Sequence, residues 1–345
     1  MLHAWRDVLT RLAKLVPVAL LAASFLAPGT ARPANPVPRT VVLPEARAIS
    51  QLPPAGAAAR TRGYGWPIKP FDVQHPIRGG FGDPRFGLVE RNFHFGVDIP
   101  ATGGTPVYAV AAGTVFLEPD HVDVLSHAVA GHASGFSYWH IIPAPREYSY
   151  AKRHTLLGWV NPSWGHLHFA ELRDGRWVNP LRDRALTPYV DRMRPQIDAI
   201  TVTLDGAQSA DAGASPPVDI TVDAFAPPPL SLPTPWEGAR LAPTLVEWRL
   251  LAGTVPVSDW RTATDFRLYL PPNQAYNEIY APGTEANAPQ HPGRYVIYLA
   301  RDWLLGKLAP EANVIEVAAF GSRGEVTRAS AVLDVADLVT PAPHQ

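Results

Sequence analysis

The sequence predicts an all-β chain made of two successive antiparallel units, and three observations carry that prediction. Between Tyr64 and Tyr189, short apolar runs such as Val107-Tyr108-Ala109-Val110 and Thr114-Val115-Phe116-Leu117 are broken by Gly, Pro and Asp. No helical period is sustained there over three turns. From Pro195 onward the texture changes, and seven further strand-like runs follow one another, separated by turn residues.

Taken in order, the chain begins with a basic lead (Arg6, Arg11, Lys14), an apolar run from Leu15 to Ala27, and the small residues Pro28-Gly29-Thr30-Ala31. Residues 1–31 read as an export signal, too short for a comfortable membrane span. A retained anchor stays open as the alternative. Residues 32–63 are rich in Ala, Pro and Arg without apolar periodicity and read as a spacer that buries too little surface to offset its ordering entropy. Proline, at 38 of 345 residues, is about twice its usual share and clusters in such linkers.

The first folded unit is expected over 64–192 and the second over 195–337, with a flexible tail at 338–345. In the second unit the runs are Ile197–Leu204, Val218–Val222, Thr244–Trp248, Phe266–Leu270, Arg294–Leu299, Val314–Ala318 and Ala331–Val335. Their alternation suits half-buried strands of an immunoglobulin-like sandwich. This unit carries no charged or aromatic constellation of its own and suggests binding, spacing or support. The formal net charge of −1 gives no hint of nucleic-acid or membrane-surface binding. The absence of cysteine excludes a disulfide framework, thiol chemistry and a Cys-ligated zinc.

The chemistry is concentrated in two stretches. In Gly165-His166-Leu167-His168-Phe169, strand alternation sends His166 and His168 to one side and Leu167 to the other. In Phe93-His94-Phe95-Gly96-Val97-Asp98, the spacing of His94 and Asp98 puts both on one face of an extended segment, and Gly96 and Pro100 argue against a helix. Two imidazoles and a carboxylate converging on one point suit a zinc ion with an open coordination position.

These motifs, in this order, carry a resemblance. The chain has His94-Phe-Gly-Val-Asp98, Gly104-Thr-Pro-Val-Tyr-Ala109, Gly113-Thr-Val115, Tyr138-Trp-His140, His166-Leu-His-Phe169 and Asn179-Pro180. Together they resemble the lysostaphin-type zinc metalloendopeptidases, a family with the duplicated hybrid motif fold that cuts peptide bonds in bacterial peptidoglycan. The resemblance implies Zn2+ held by His94, Asp98 and His168, with His140 and His166 as the flanking catalytic pair that works on the attacking water and the oxyanion. It further implies a secreted or periplasmic monomer whose partner is the peptide of the cell wall, with no nucleic acid and no stable membrane insertion once the signal is removed.

Departures from the pattern lie around the groove. Asp120–Ser126 replaces a Tyr-Gly-Asn-x-Val strand, and Leu157–Trp164 replaces a Gly-rich approach to His-Leu-His. Trp159 and Trp164 are there either as packing residues or as stacking platforms. Gly79–Arg85 reads equally as a plain turn or as the Phe-Gly-x-Arg lead-in of the family. His121, His127, His132 and His154 have no ligand spacing and read as loop histidines. A non-enzymatic wall-binding or hydrolase-activating protein that keeps the fold remains the alternative function.

Overall fold

The computed structural model describes residues 40–41, 63–86, 91–129, 131–144, 149–204, 217–304 and 312–333. The expected signal at 1–31, most of the 32–63 spacer and the 338–345 tail lie outside the described residues. Among the described residues no helix is long and apolar enough to cross a membrane. The architecture is all-β and its strand ladders are antiparallel.

The first unit is organised on one sheet with the order Tyr150–Ala151, Gly113–Leu117, His121–His127, Ser134–Trp139, His166–Arg173 and Arg176–Val178. The strand His166–Arg173 is its centre. Ser134–Trp139 lies on one side, and on the other its first half pairs with Val97–Pro100 and its second half with Arg176–Val178. The register sets His168 opposite both Asp98 and Trp139. The period-two pattern acts as the sequence predicts. Leu167 and Phe169 enter the apolar core with Val97, Ile99, Val122 and Tyr138, all fully buried. Each such side chain contributes roughly 1.5–3 kcal/mol by leaving water. The opposite face is thereby fixed as the one that carries His166 and His168. A small second sheet of Pro106–Tyr108, Leu156–Val160 and Ile141–Pro143 closes the other side of this core.

The second unit is a sandwich of two antiparallel sheets. One runs Thr40–Val41, Gln196–Leu204, Pro217–Phe225 and Val296–Leu304. The other runs Val255–Pro256, Leu245–Ala252, Val314–Phe320 and Val326–Val332, with Arg261–Asp265 also paired to Leu245–Ala252. Ile220, Val222 and Ile297 of the first sheet meet Val246, Ile315 and Val317 of the second in one core. The strand expected at Phe266–Leu270 sits earlier, at Arg261–Asp265. Phe266 is drawn fully into the core, and Tyr269 leaves the sandwich to bridge to Val178 of the first unit. Thr40–Val41, within the stretch read as a spacer, pairs with Gln196–Leu204.

The two units interlock. Phe81 and Phe93 of the first are buried in the sandwich core, while Ala226 and Leu241 of the second are buried in the core of the first. Tyr280 Oη donates to the Gly82 carbonyl at 2.8 Å, and Asn179 Nδ2 donates to the Phe266 carbonyl at 2.9 Å. Asp83, fully buried, accepts the backbone N–H of Gly80 and, from the other unit, that of Ala242, both at 2.8 Å. This seam runs along Arg78–Asp83 and Phe93, which lead into the histidine site.

Candidate metal centre

His94, Asp98 and His168 come together and are all buried. Asp98 projects from Val97–Pro100 and His168 from the strand beside it, as their register requires. His94 does not lie on the same continuous strand as Asp98. It follows the strand Arg91–Phe93 and is held in extended form by backbone bonds to Asp83 and from Gly82. The chain then bends at Gly96 before Val97 resumes the sheet. Glycine is required at that bend for want of room: a Cβ there would meet the Phe169 carbonyl and, at 2.8 Å, Nε2 of His168.

The three ligand atoms form a nearly equilateral triangle. His94 Nε2 lies 2.8 Å from His168 Nδ1 and 3.0 Å from Asp98 Oδ1, and the last two are 3.1 Å apart. A tetrahedral ion with arms of about 2.0–2.1 Å sets its ligands roughly 3.3 Å apart, so a few tenths of an ångström of expansion admits zinc. The tautomer of His94 is already set. Its Nδ1–H donates to the Gly80 carbonyl at 2.7 Å, which leaves Nε2 as a lone pair facing the triangle. The donor set fits zinc in type, number and spacing.

Electrostatics support the same reading. Burial, with help from Arg85, lowers the His94 pKa to about 3, so the ring is neutral and available as a ligand. Burial alone would raise Asp98, but His94, Arg78 and His166 outweigh it and hold the carboxyl well below its ordinary range. Its two oxygens face different partners. Oδ1 faces the histidines, and Oδ2 takes Arg78 Nη2 at 3.0 Å and Arg85 Nη2 at 2.9 Å.

His140 and His166, expected as the catalytic pair, stand beside this triangle. Their rings meet edge to face at 4.7 Å, and His140 lies 6.1 Å from the His168 ring. His166 Nδ1–H donates to the Trp164 carbonyl at 2.8 Å, so its Nε2 is an acceptor. Nε2 lies 2.9 Å from Arg78 Nη2. Burial lowers His166 to about 4 and His140 to about 3. His140 follows the strand Ser134–Trp139 with φ of 66°, a left-handed conformation that a non-glycine residue adopts at a cost. Its Nδ1 is buried without a protein partner, and its ring stacks on Trp164 at 3.9 Å.

The other residues singled out in the sequence separate. Trp159 is half-buried in Leu156–Val160, whereas Trp164 is 50 % exposed beside the site. His121 stacks on Trp139, His132 bonds Asp174 and His154 stacks on Phe71. Among the described residues no second histidine cluster forms. Three contributors are not legible in the sequence as site residues. Arg78 touches Asp98 and His166, Trp236 lies under Arg78, and Gly80 orients His94. Of these, Gly80 alone falls in a stretch with a motif signal, the Gly79–Arg85 lead-in. That lead-in is part of the centre through Gly80, Asp83 and Arg85.

No protein-family model and no curated protein matches the chain. Among solved structures it is similar to Helicobacter pylori Csd3, at 25% identity over 34% of this chain and 34% of that one, with a TM-score of 0.27. It is similar to a zinc-containing peptidase from Vibrio cholerae, at 22% identity over 34% of this chain and 39% of that one, with a TM-score of 0.28. The solution structure of lysostaphin overlaps 79% of this chain and 91% of that one at 13% identity and a TM-score of 0.28. The chain thus spans little more than a third of the length of the first two, and the site rests on its own geometry.

Proposed function

We propose that the protein is an exported zinc metalloendopeptidase that hydrolyses peptide bonds of cell-wall peptidoglycan, with an immunoglobulin-like sandwich as its second unit. The observation that carries this reading is the buried His94–Asp98–His168 triangle, the tautomer of His94 preset, with two further neutral histidines beside it: the His140 ring 6.1 Å from that of His168 and His166 Nε2 3.6 Å from Asp98 Oδ1. His94 through Nε2, Asp98 through Oδ1 and His168 through Nδ1 would hold the ion. When bound, zinc polarises a substrate carbonyl and brings the pKa of a water toward neutrality.

The flanking histidines divide the proton work. His140 is neutral and offers Nδ1, which has no protein partner, so it is the group that can take a proton and return it to the leaving amine. His166 presents a fixed acceptor at Nε2, oriented by the Trp164 carbonyl. General acid–base assistance of this kind is worth about 10²–10⁴ in rate. The basic lead and apolar run before Ala31 support export, and the order of motifs from His94 to Asn179-Pro180 supports the wall peptide as substrate.

The test is digestion of purified peptidoglycan with the mature chain, with and without a chelator, followed by mass analysis of the fragments. Fragments carrying new peptide termini, abolished by chelator and restored by zinc, are expected. His140→Ala and His166→Ala should keep the metal and lose most hydrolysis. Digestion that ignores the chelator, or a wild-type chain without zinc, would overturn the proposal.

A further inference from the structure

Arg78 is unusual at this centre because it is held there by the other unit. It is 7 % exposed, and its guanidinium stacks on the ring of Trp236 at 3.8 Å from the centroid. Its backbone carbonyl accepts a hydrogen bond from Asn287 Nδ2 at 2.7 Å, and the same amide donates to the Arg240 carbonyl at 3.0 Å. Trp236 and Asn287 both belong to the sandwich unit. The cation they fix lies 3.0 Å from Asp98 Oδ2 and 2.9 Å from His166 Nε2.

The charges around the centre balance before any metal enters. Asp98 faces Arg78 and Arg85, and Asp83 faces Arg85 at 3.9 Å. Two guanidiniums thus offset two carboxylates. A divalent ion entering a buried site of zero net charge binds less tightly than it would if Arg78 were uncharged and the site kept one negative charge. The guanidinium of Arg78 also favours negative charge developing on a nearby substrate oxygen. Arg78 also occupies Oδ2 together with Arg85, which leaves Oδ1 as the oxygen of Asp98 that faces the histidines.

We propose that Arg78 is a positioning residue of the metal centre, clamped by Trp236 and Asn287, which weakens zinc binding while strengthening the centre as an electrophile. The sandwich is on this account part of the active site. The proposal rests on the zinc peptidase reading above and deepens it.

The test measures zinc affinity of the full chain by competition with a chromophoric chelator, which needs no substrate, alongside kcat and KM on a wall peptide. Arg78→Gln should bind zinc about tenfold more tightly, while kcat falls about tenfold with KM within about twofold. Arg78→Lys should return the affinity toward wild type and recover part of kcat. Trp236→Ala should move both quantities as Arg78→Gln does, by a smaller factor, and Trp236→Phe should restore them. Arg249→Met, which breaks an ion pair to Glu316 between two paired strands of the sandwich, should change neither. Zinc affinity that is unchanged or weakened in Arg78→Gln would overturn the charge argument, since a merely supporting residue loses metal and activity together. A Trp236→Ala protein identical to wild type would overturn the role of the second unit. A wild-type chain that binds no zinc would instead remove the reading on which both depend.

Discussion

His94 and His168 approach each other through unlike nitrogens: Nε2 of the first lies 2.8 Å from Nδ1 of the second. The asymmetry comes from the backbone. Gly80 accepts the Nδ1–H of His94, whereas His168 Nε2 is buried with no protein partner. Purified protein should therefore carry about one zinc per chain, which metal analysis will measure. His168→Ala should fall below about a tenth of that content, because two remaining ligands do not hold zinc against solvent. An unchanged content in this variant would show that the metal sits elsewhere.

The acid stability of the metal-free protein follows from the buried rings. His94 and His140 are lowered to about 3 and His166 to about 4, all below the unfolded value near 6.5. The unfolded chain takes up these protons first, so stability contributed by the neutral rings is lost as pH falls from about 6.5 toward 3. Asp98, held low, acts in the same direction below about pH 4. Asp83 opposes them: burial raises it to about 6, so its contribution is present below about pH 4 and lost as pH rises through 6. Three histidines outweigh one carboxyl between pH 6.5 and 4. Urea unfolding of chelated protein should lose roughly 1–3 kcal/mol per pH unit in that window, at about 1.4 kcal/mol per net proton. A flat profile would mean that the rings are hydrated.

Gly96→Ala tests whether the bend between the first two ligands is a requirement of space. The added methyl would press on the Phe169 carbonyl and on the His168 ring. The carbonyl belongs to the central strand, which pairs there with Val97 and Tyr138 and has no freedom to withdraw. A loss of about 2–4 kcal/mol is expected from chemical denaturation, with zinc affinity reduced in parallel. A stable variant with full affinity would show that the strand gives way.

What the sequence reveals and what it conceals divide along sequence distance. Strand period places His166 and His168 together, and the order of motifs picks out His94, Asp98 and His140, because each signal is contained within a few residues. Leu167 and Phe169 confirm the period by filling the core. Arg78 is invisible in the sequence for the opposite reason. Its importance depends on Trp236 and Asn287, whose contacts with it are made only when two units close on one another. The misplaced strand at Phe266–Leu270 has the same origin. Its apolar alternation is real, but Phe266 and Tyr269 serve the seam between units rather than a ladder within the sandwich. Nor does sequence reveal the left-handed backbone of His140, which has no glycine or asparagine to announce it.

Trp164 supplies the last prediction, and it separates packing from function. Half of its surface is open to solvent, yet its ring lies nearly parallel to that of His140, at 18° and 3.9 Å. A residue so exposed contributes little to stability, so Trp164→Ala should cost less than about 1 kcal/mol. It removes the flat surface that holds His140, however, and leaves that ring to rotate on a backbone already in a strained conformation. Zinc content should be unchanged because none of the three ligands touches Trp164. Turnover should fall about tenfold if His140 is the general base proposed above, and Trp164→Phe should recover most of it. A Trp164→Ala protein that loses zinc would place the tryptophan with the metal ligands. One that keeps both zinc and turnover would show that His140 is held by its backbone alone.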